Sequence, residues 1–168
     1  SARVDADLEV VAERSMYFAY LGEWAGGSAV MGSRTPSDRW YFAEGYTARG
    51  SFETFLCLLN PWLDPVEVTV DYMVNGGSSS SGNLSKTYVV PGTARLTLSA
   101  NQEAGYDAEI STVVRSERPI VAERPMYFDY RQKWRGGHGV MGATAPAAEW
   151  YLAEGTTREG FEEWVTIQ

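Results

Sequence analysis

Two carboxylates stand out for what surrounds them. Glu44 closes the run WYFAEG (Trp40–Gly45), behind an aromatic cluster and ahead of a glycine, and Glu123 precedes an arginine in VAERPMYFDY (Val121–Tyr130). Such residue types serve two chemistries. Paired carboxylates can hydrolyse a glycosidic bond from opposite sides. Alternatively, a carboxylate beside an indole can grip a sugar, the ring covering its C–H face while the acid accepts from its hydroxyls. Hydrolysis requires a cleft, for which a small β module has little room, so the pattern points to binding and not to an enzyme.

Strand geometry sorts these side chains. In WYFAEG, Trp40, Phe42 and Glu44 share one face, while Tyr41 and Ala43 share the other. In the second run, Val121, Glu123, Pro125, Tyr127 and Asp129 alternate with Ala122, Arg124, Met126, Phe128 and Tyr130. The latter set reads as a core face interrupted by Arg124. An arginine on an apolar face needs a carboxylate partner, and Glu44 is the candidate. Two readings stand side by side: a Glu44–Arg124 pair that holds the fold, and a ligand site of Trp40, Glu44, Glu123, Arg124 and Tyr127. They can coexist.

Other chemistries lack their residues. The single histidine, His138, is too little for a Ser-His-Asp arrangement or a His-rich metal site. The glycine-rich WRGGHGVMGATAP has neither the Lys-Ser/Thr nor the following helix of a phosphate loop, and reads as a surface loop anchored by Trp134. The single cysteine, Cys57, sits in the apolar run FLCLLN and reads as an inert buried thiol. No cofactor and no metal is expected.

The motifs occur twice. VVAERSMYFAY (Val10–Tyr20) returns as IVAERPMYFDY, WAGGSAVMG as WRGGHGVMG, and RWYFAEG as EWYLAEG; Glu13 and Glu123, Trp24 and Trp134, Met31 and Met141, and Trp40 and Trp150 all stand 110 residues apart. Trp150, Glu154, Glu13 and Arg14 therefore join the candidate site as copies, and His138 corresponds to Ser28. A period of 110 is domain-sized, far above that of solenoid repeats. Residues 1–38 read as the end of one copy, 39–148 as a complete copy, and 149–168 as the opening strands of a further one, so the chain reads as part of a tandem array cut out of phase. Incomplete copies leave strand edges that seek partners. The ends are expected either to pack on the complete copy or to make chains associate by strand exchange.

The elements that must position these residues read as strands. VEVTVDYMV (Val66–Val74) and ARLTLS (Ala94–Ser99) alternate with period two, and Pro91-Gly92 reads as a turn joining SKTYVV to ARLTLS in a hairpin. NGGSSSSGN (Asn75–Asn83) reads as a loop, LNPWLDP is too proline-rich for a central strand, and NQEAGYDAEIS has room for one helical turn. The fold class expected is all-β, an antiparallel β-sandwich of about 110 residues, tandemly repeated.

The chain has 168 residues and a formal net charge of −8. That excess of acid argues against nucleic acid, which calls for clustered Lys and Arg, and against an anionic membrane surface. No apolar run is long enough to span a bilayer.

The complete copy resembles the Anabaena sensory rhodopsin transducer family. The resemblance rests on WYFAEGY (Trp40–Tyr46), ETFLCLLNP (Glu53–Pro61), VEVTVDYM (Val66–Met73), YVVPGTARLTL (Tyr88–Leu98) and ISTVVRSERPIVAER (Ile110–Arg124). The sequence departs from that family at Glu123, where the family tends to carry Gln, and in MYFDY. It also resembles tandem WYFAEG modules of large secreted or surface-anchored bacterial proteins. The resemblance implies a β-sandwich that binds small molecules or sugars and self-associates. The expectation is a non-catalytic module of a secreted or surface protein, binding a small polar ligand or glycan. A purely structural spacer in a surface stalk and a soluble, cytoplasmic signalling-transducer subunit are the alternatives.

Overall fold

The computed structural model describes residues 1–77 and 82–168. In chain order its elements are β1 (Glu13–Tyr20), β2 (Trp24–Met31), β3 (Ser37–Phe42), β4 (Phe52–Leu59), β5 (Val66–Gly76), β6 (Gly82–Val90), β7 (Arg95–Ser99), α1 (Ala100–Ala104), β8 (Ala108–Tyr130) and β9 (Trp134–Met141). The pairings between these strands are antiparallel.

The 23-residue β8 organises the body. Its first half lies between β5 and β3, with Val114 opposite both Val70 and Trp40; its second half lies between β4 and β9, with Met126 opposite Thr54 and His138. One strand thus belongs to two layers, β6-β5-β8-β3 and β7-β4-β8-β9. Their inner faces supply a single core that includes Val68, Val70, Tyr72 and Val114 from one layer and Leu56, Leu58, Leu98 and Ala122 from the other. Even-numbered residues of β8 are buried from Ala108 to Val114 and again from Ile120 to Met126, and exposure peaks at Glu117–Pro119, where the strand turns the corner.

One connection read from the sequence requires correction. SKTYVV and ARLTLS do not form a hairpin: β6 pairs with β5 and β7 with β4, so Pro91-Gly92 carries the chain from one layer to the other. Asn60, fully buried, holds that crossing, its amide nitrogen donating to the carbonyls of Asp64, Val90 and Pro91. Residues 149–168 form no strands and are almost wholly exposed. The segments whose sequence they repeat, β3 and β4, pair with β8, 62 to 76 residues further along, from Leu59 with Val121 to Arg39 with Arg115. The loop expected at Asn75–Asn83 falls in part on 78–81, outside the described residues; Asn75 and Gly76 end β5, and Gly82 and Asn83 begin β6. The helical turn is present as α1, capped by the Ser99 side chain.

β1 and β2 form a separate two-stranded sheet. It carries the first copy of the motif that β8 and β9 carry as the second, and it lies on the outer face of the β4-β8-β9 layer. Tyr41 in β3 and Ala143, just after β9, exchange backbone hydrogen bonds of 2.8 and 3.0 Å.

Candidate functional site

The inner group forms where β3 ends against β8. Trp40 is 2% exposed and its indole nitrogen donates to the Ile120 carbonyl at 3.0 Å. Both ring faces are packed, so Trp40 is a core anchor and offers no shelf to a ligand; this corrects its reading as a platform. Glu44 lies just beyond β3, and Gly45 lets the chain cross β8, since a Cβ there would stand 2.6 Å from Ile110 Cγ1. The partnership suggested by sequence is present: Arg124 Nη2 donates to Glu44 Oε2 at 2.9 Å. The Arg124 side chain is 4% exposed and that of Glu44 40%. Burial lowers the Arg124 pKa, with Glu44 opposing it. Arg124 Nε and Nη1 are buried without a protein partner. His138 belongs to the same group; burial and then the Arg124 charge lower its pKa, while Glu44 acts to raise it.

The outer group lies on the opposite side of the same strands. Glu123 accepts from Arg14 of β1 in a two-pronged ion pair, one prong being Nη1 to Oε2 at 2.8 Å. The hydrogen bond that Arg14 donates to Glu123 is the main reason the Arg14 pKa is raised. Tyr127 stacks on Tyr20 with centroids 4.4 Å apart and planes 2° from parallel, and Phe18 meets Tyr127 edge-on at 4.9 Å. Phe55 of β4 completes the aromatic shelf, 6.2 Å from Tyr127 and 6.3 Å from Tyr20. Cys57, on the same face, is half-buried and its thiol pKa is raised chiefly by burial.

WRGGHGVM is not a surface loop but strand β9, and its glycines serve approach, not turning. A Cβ at Gly137 would lie 2.9 Å from Phe18 Cζ and 2.8 Å from Tyr127 Cδ1, and one at Gly26 would lie 3.3 Å from Gly136 Cα. The Gly139 amide donates to Ser28 Oγ at 3.0 Å. The two copies of the glycine-rich strand are thereby pressed together.

The remaining candidates stand apart from both groups. Glu13 is exposed at the start of β1; Trp150 is 65% exposed, its indole nitrogen on the Ala147 carbonyl; Glu154 is exposed in the tail. Among the described residues no cluster of His, Cys, Asp and Glu is placed to hold a metal. Sequence reasoning missed Tyr20, Phe18 and Phe55 as members of the outer aromatic group, although MYFAY repeating as MYFDY marked the first two.

Fold and site together define an all-β antiparallel sandwich carrying an aromatic and carboxylate face. Among solved structures, the chain is similar to the Thermotoga maritima 1070 crystal structure, with a TM-score of 0.55 and 14% identity over 64% of this chain and 94% of that one. It is also similar to the Anabaena sensory rhodopsin transducer, with a TM-score of 0.44 and 18% identity over 53% of this chain and 95% of that one. The first likeness shows a shared fold. No family model matches the sequence, and no curated protein does.

Proposed function

We propose that the chain is a non-catalytic binding module whose recognition surface is the outer face of β4, β8 and β9, with Tyr127 as the shelf and Glu123 as the acceptor. One observation carries this reading: the face already holds an occupant. A flat ring, Tyr20, lies parallel on Tyr127, and a planar donor, Arg14, sits on Glu123. A sugar makes the same two demands, a flat C–H face on an aromatic ring and hydroxyls donating to a carboxylate. The ligand class is therefore a glycan or a comparable small polar ring, and β1–β2 covers the face in its absence. The tandem writing of the motif and its resemblance to surface-protein repeats favour a secreted or surface-anchored parent.

The test compares the native chain with Tyr20→Ala, which bares Tyr127, and Tyr127→Ala, which removes the shelf, on a glycan array and by thermal shift. Binding that strengthens in the first variant and disappears in the second is expected. No ligand for either the native chain or Tyr20→Ala overturns the proposal. A second reading, a structural spacer, is favoured by the inner group, where Trp40, Glu44 and Arg124 all join elements of the fold; it expects Glu44→Ala to cost stability while no glycan binds.

A further inference from the structure

The β1–β2 hairpin touches the body in a way that makes it transferable. Its strands pair only with each other within the described residues, as a sheet separate from the seven-stranded one. Its own base is closed by the Gly32 amide on the Ala12 carbonyl. What holds it to the body is the Arg14–Glu123 pair, the Tyr20–Tyr127 stack, Phe18 in the notch left by Gly137, and the Ser28–Gly139 bond. Lifting it breaks no backbone ladder. Yet it cannot stay lifted without cost, because Trp24 is 5% exposed in place and Phe18 and Tyr20 would be bared with it.

The second copy of the motif shows that this hairpin has two distinct faces. In β8 and β9 the face with Arg124, Met126 and Phe128 turns into the sandwich, where Arg124 finds Glu44 and Phe128 stacks on Phe52. In β1 the corresponding face, Arg14, Met16 and Phe18, turns onto the outside of the second copy. The face with Glu123, Tyr127 and Gly137 is the acceptor. Each chain thus has one donor hairpin and one acceptor face filled by it.

We infer that the acceptor face of β4, β8 and β9 also receives the β1–β2 hairpin of a second copy of this chain, so that two chains exchange hairpins. The contacts in the exchanged form are those already described, met in trans instead of in cis. The hinge is the exposed run Gly32–Thr35, leading into Pro36. Four or five residues reach roughly 15 Å at full extension, so exchanging bodies must lie side by side, and reciprocal donation closes the pair as a dimer. The inference rests on reading the outer face as a recognition surface, but the partner is protein and not glycan.

Charge reversal separates the outcomes. Arg14→Glu places like charges in its own hairpin–face contact, and so does Glu123→Arg. A mixture of the two offers a complementary pairing in both halves of an exchanged dimer: the reversed hairpin of one meets the reversed face of the other, and the native hairpin meets the native face. Each variant is refolded alone and as an equimolar mixture, one carrying a size tag, and followed by light scattering with size-exclusion chromatography. Monomers from each variant alone and a tagged–untagged dimer from the mixture are expected. A mixture that stays monomeric overturns the inference, and so does equal dimerisation of each variant alone. If a variant fails to fold, by far-ultraviolet dichroism, the native chain refolded over a concentration series decides: a dimer fraction that rises with concentration and vanishes in Tyr127→Ala is expected, and a strictly monomeric native chain overturns it. Glycan binding can fail while exchange succeeds, and the reverse, so the two proposals stand or fall separately.

Discussion

Removing Glu44 asks what the acid of WYFAEG is for. Breaking a buried ion pair by deleting one partner costs about 3–5 kcal/mol, because the other charge is left desolvated. Here the Arg124 side chain is 4% exposed and that of Glu44 is 40% exposed. Water screens the acid's half of the interaction, which reduces the expected cost of Glu44→Ala to about 2 kcal/mol. Arg124→Met behaves differently. It removes the buried cation together with Nε and Nη1, which have no protein partner, and fills similar space, so the change is about 0–1 kcal/mol. If Glu44 serves Arg124, the double variant should sit near Arg124→Met alone and not at the sum of the two. Urea unfolding reads this directly: with a slope of about 1–3 kcal/mol per molar, 2 kcal/mol moves the midpoint by about 1 M. Additive effects, or an Arg124→Met variant as damaged as Glu44→Ala, would refute the pairing as the reason for the acid.

Further outcomes follow from the same geometry. Gly137→Ala drives a methyl into Phe18 and Tyr127; overpacking of this kind costs about 1–3 kcal/mol, and limited proteolysis at Gly32–Thr35 should quicken as the hairpin lifts. Arg14→Ala removes a pair whose arginine is 48% exposed, so a loss of about 1 kcal/mol or less is expected by urea unfolding, with the same protease site exposed. Trp40→Phe leaves the Ile120 carbonyl without the indole donor and opens space in the core, lowering stability by about 1–3 kcal/mol. The His138 pKa lies below its ordinary value through burial and then Arg124, so the unfolded chain takes up the proton first. Its contribution is complete above the usual imidazole value and is lost as pH falls below it, until the folded pKa is passed. A urea midpoint that drops as the pH falls below the usual imidazole value, with the drop blunted in His138→Gln, is expected. Glu53, whose carboxyl is raised by burial, acts in the opposite sense at lower pH.

The layered body was legible because inward and outward residues alternate along β5 and β8, and this period survives in the structure. The Glu44–Arg124 contact was legible for a related reason: one charged residue on an otherwise apolar face demands a counter-charge. What local sequence could not carry was pairing at a distance. Pro91-Gly92 looks the same whether it joins neighbours in one layer or carries the chain to the other, and only Asn60, thirty residues earlier, distinguishes the two. The glycines of β9 were misread because turning and close approach both favour a missing side chain; the approach becomes visible only once Phe18 is in place. Trp40 likewise could be shelf or core by its spacing, and the Ile120 carbonyl settles it.

The dipeptide Glu-Arg explains why a repeated hairpin can both build a module and bind one. In a strand, neighbouring residues point to opposite faces, so Glu123 and Arg124 give one side of the hairpin an acceptor and the other a donor. The same alternation places Tyr127 with the acid and Met126 and Phe128 with the arginine. Two such hairpins laid one on another in the same sense therefore meet acid to arginine and ring to ring, as Glu123 meets Arg14 and Tyr127 meets Tyr20. The arginine face can serve only one surface at a time. Arg124 has its own sandwich and takes Glu44, its side chain only 4% exposed; Arg14 takes Glu123 and remains 48% exposed. Desolvation ranks the two uses: burying the arginine face inside a sandwich removes more apolar surface from water than laying it on an outer face. A hairpin supplied with its own β3 and β4 partners should leave the outer face and fold inward, and the vacated Tyr127 shelf would then be open to ligand.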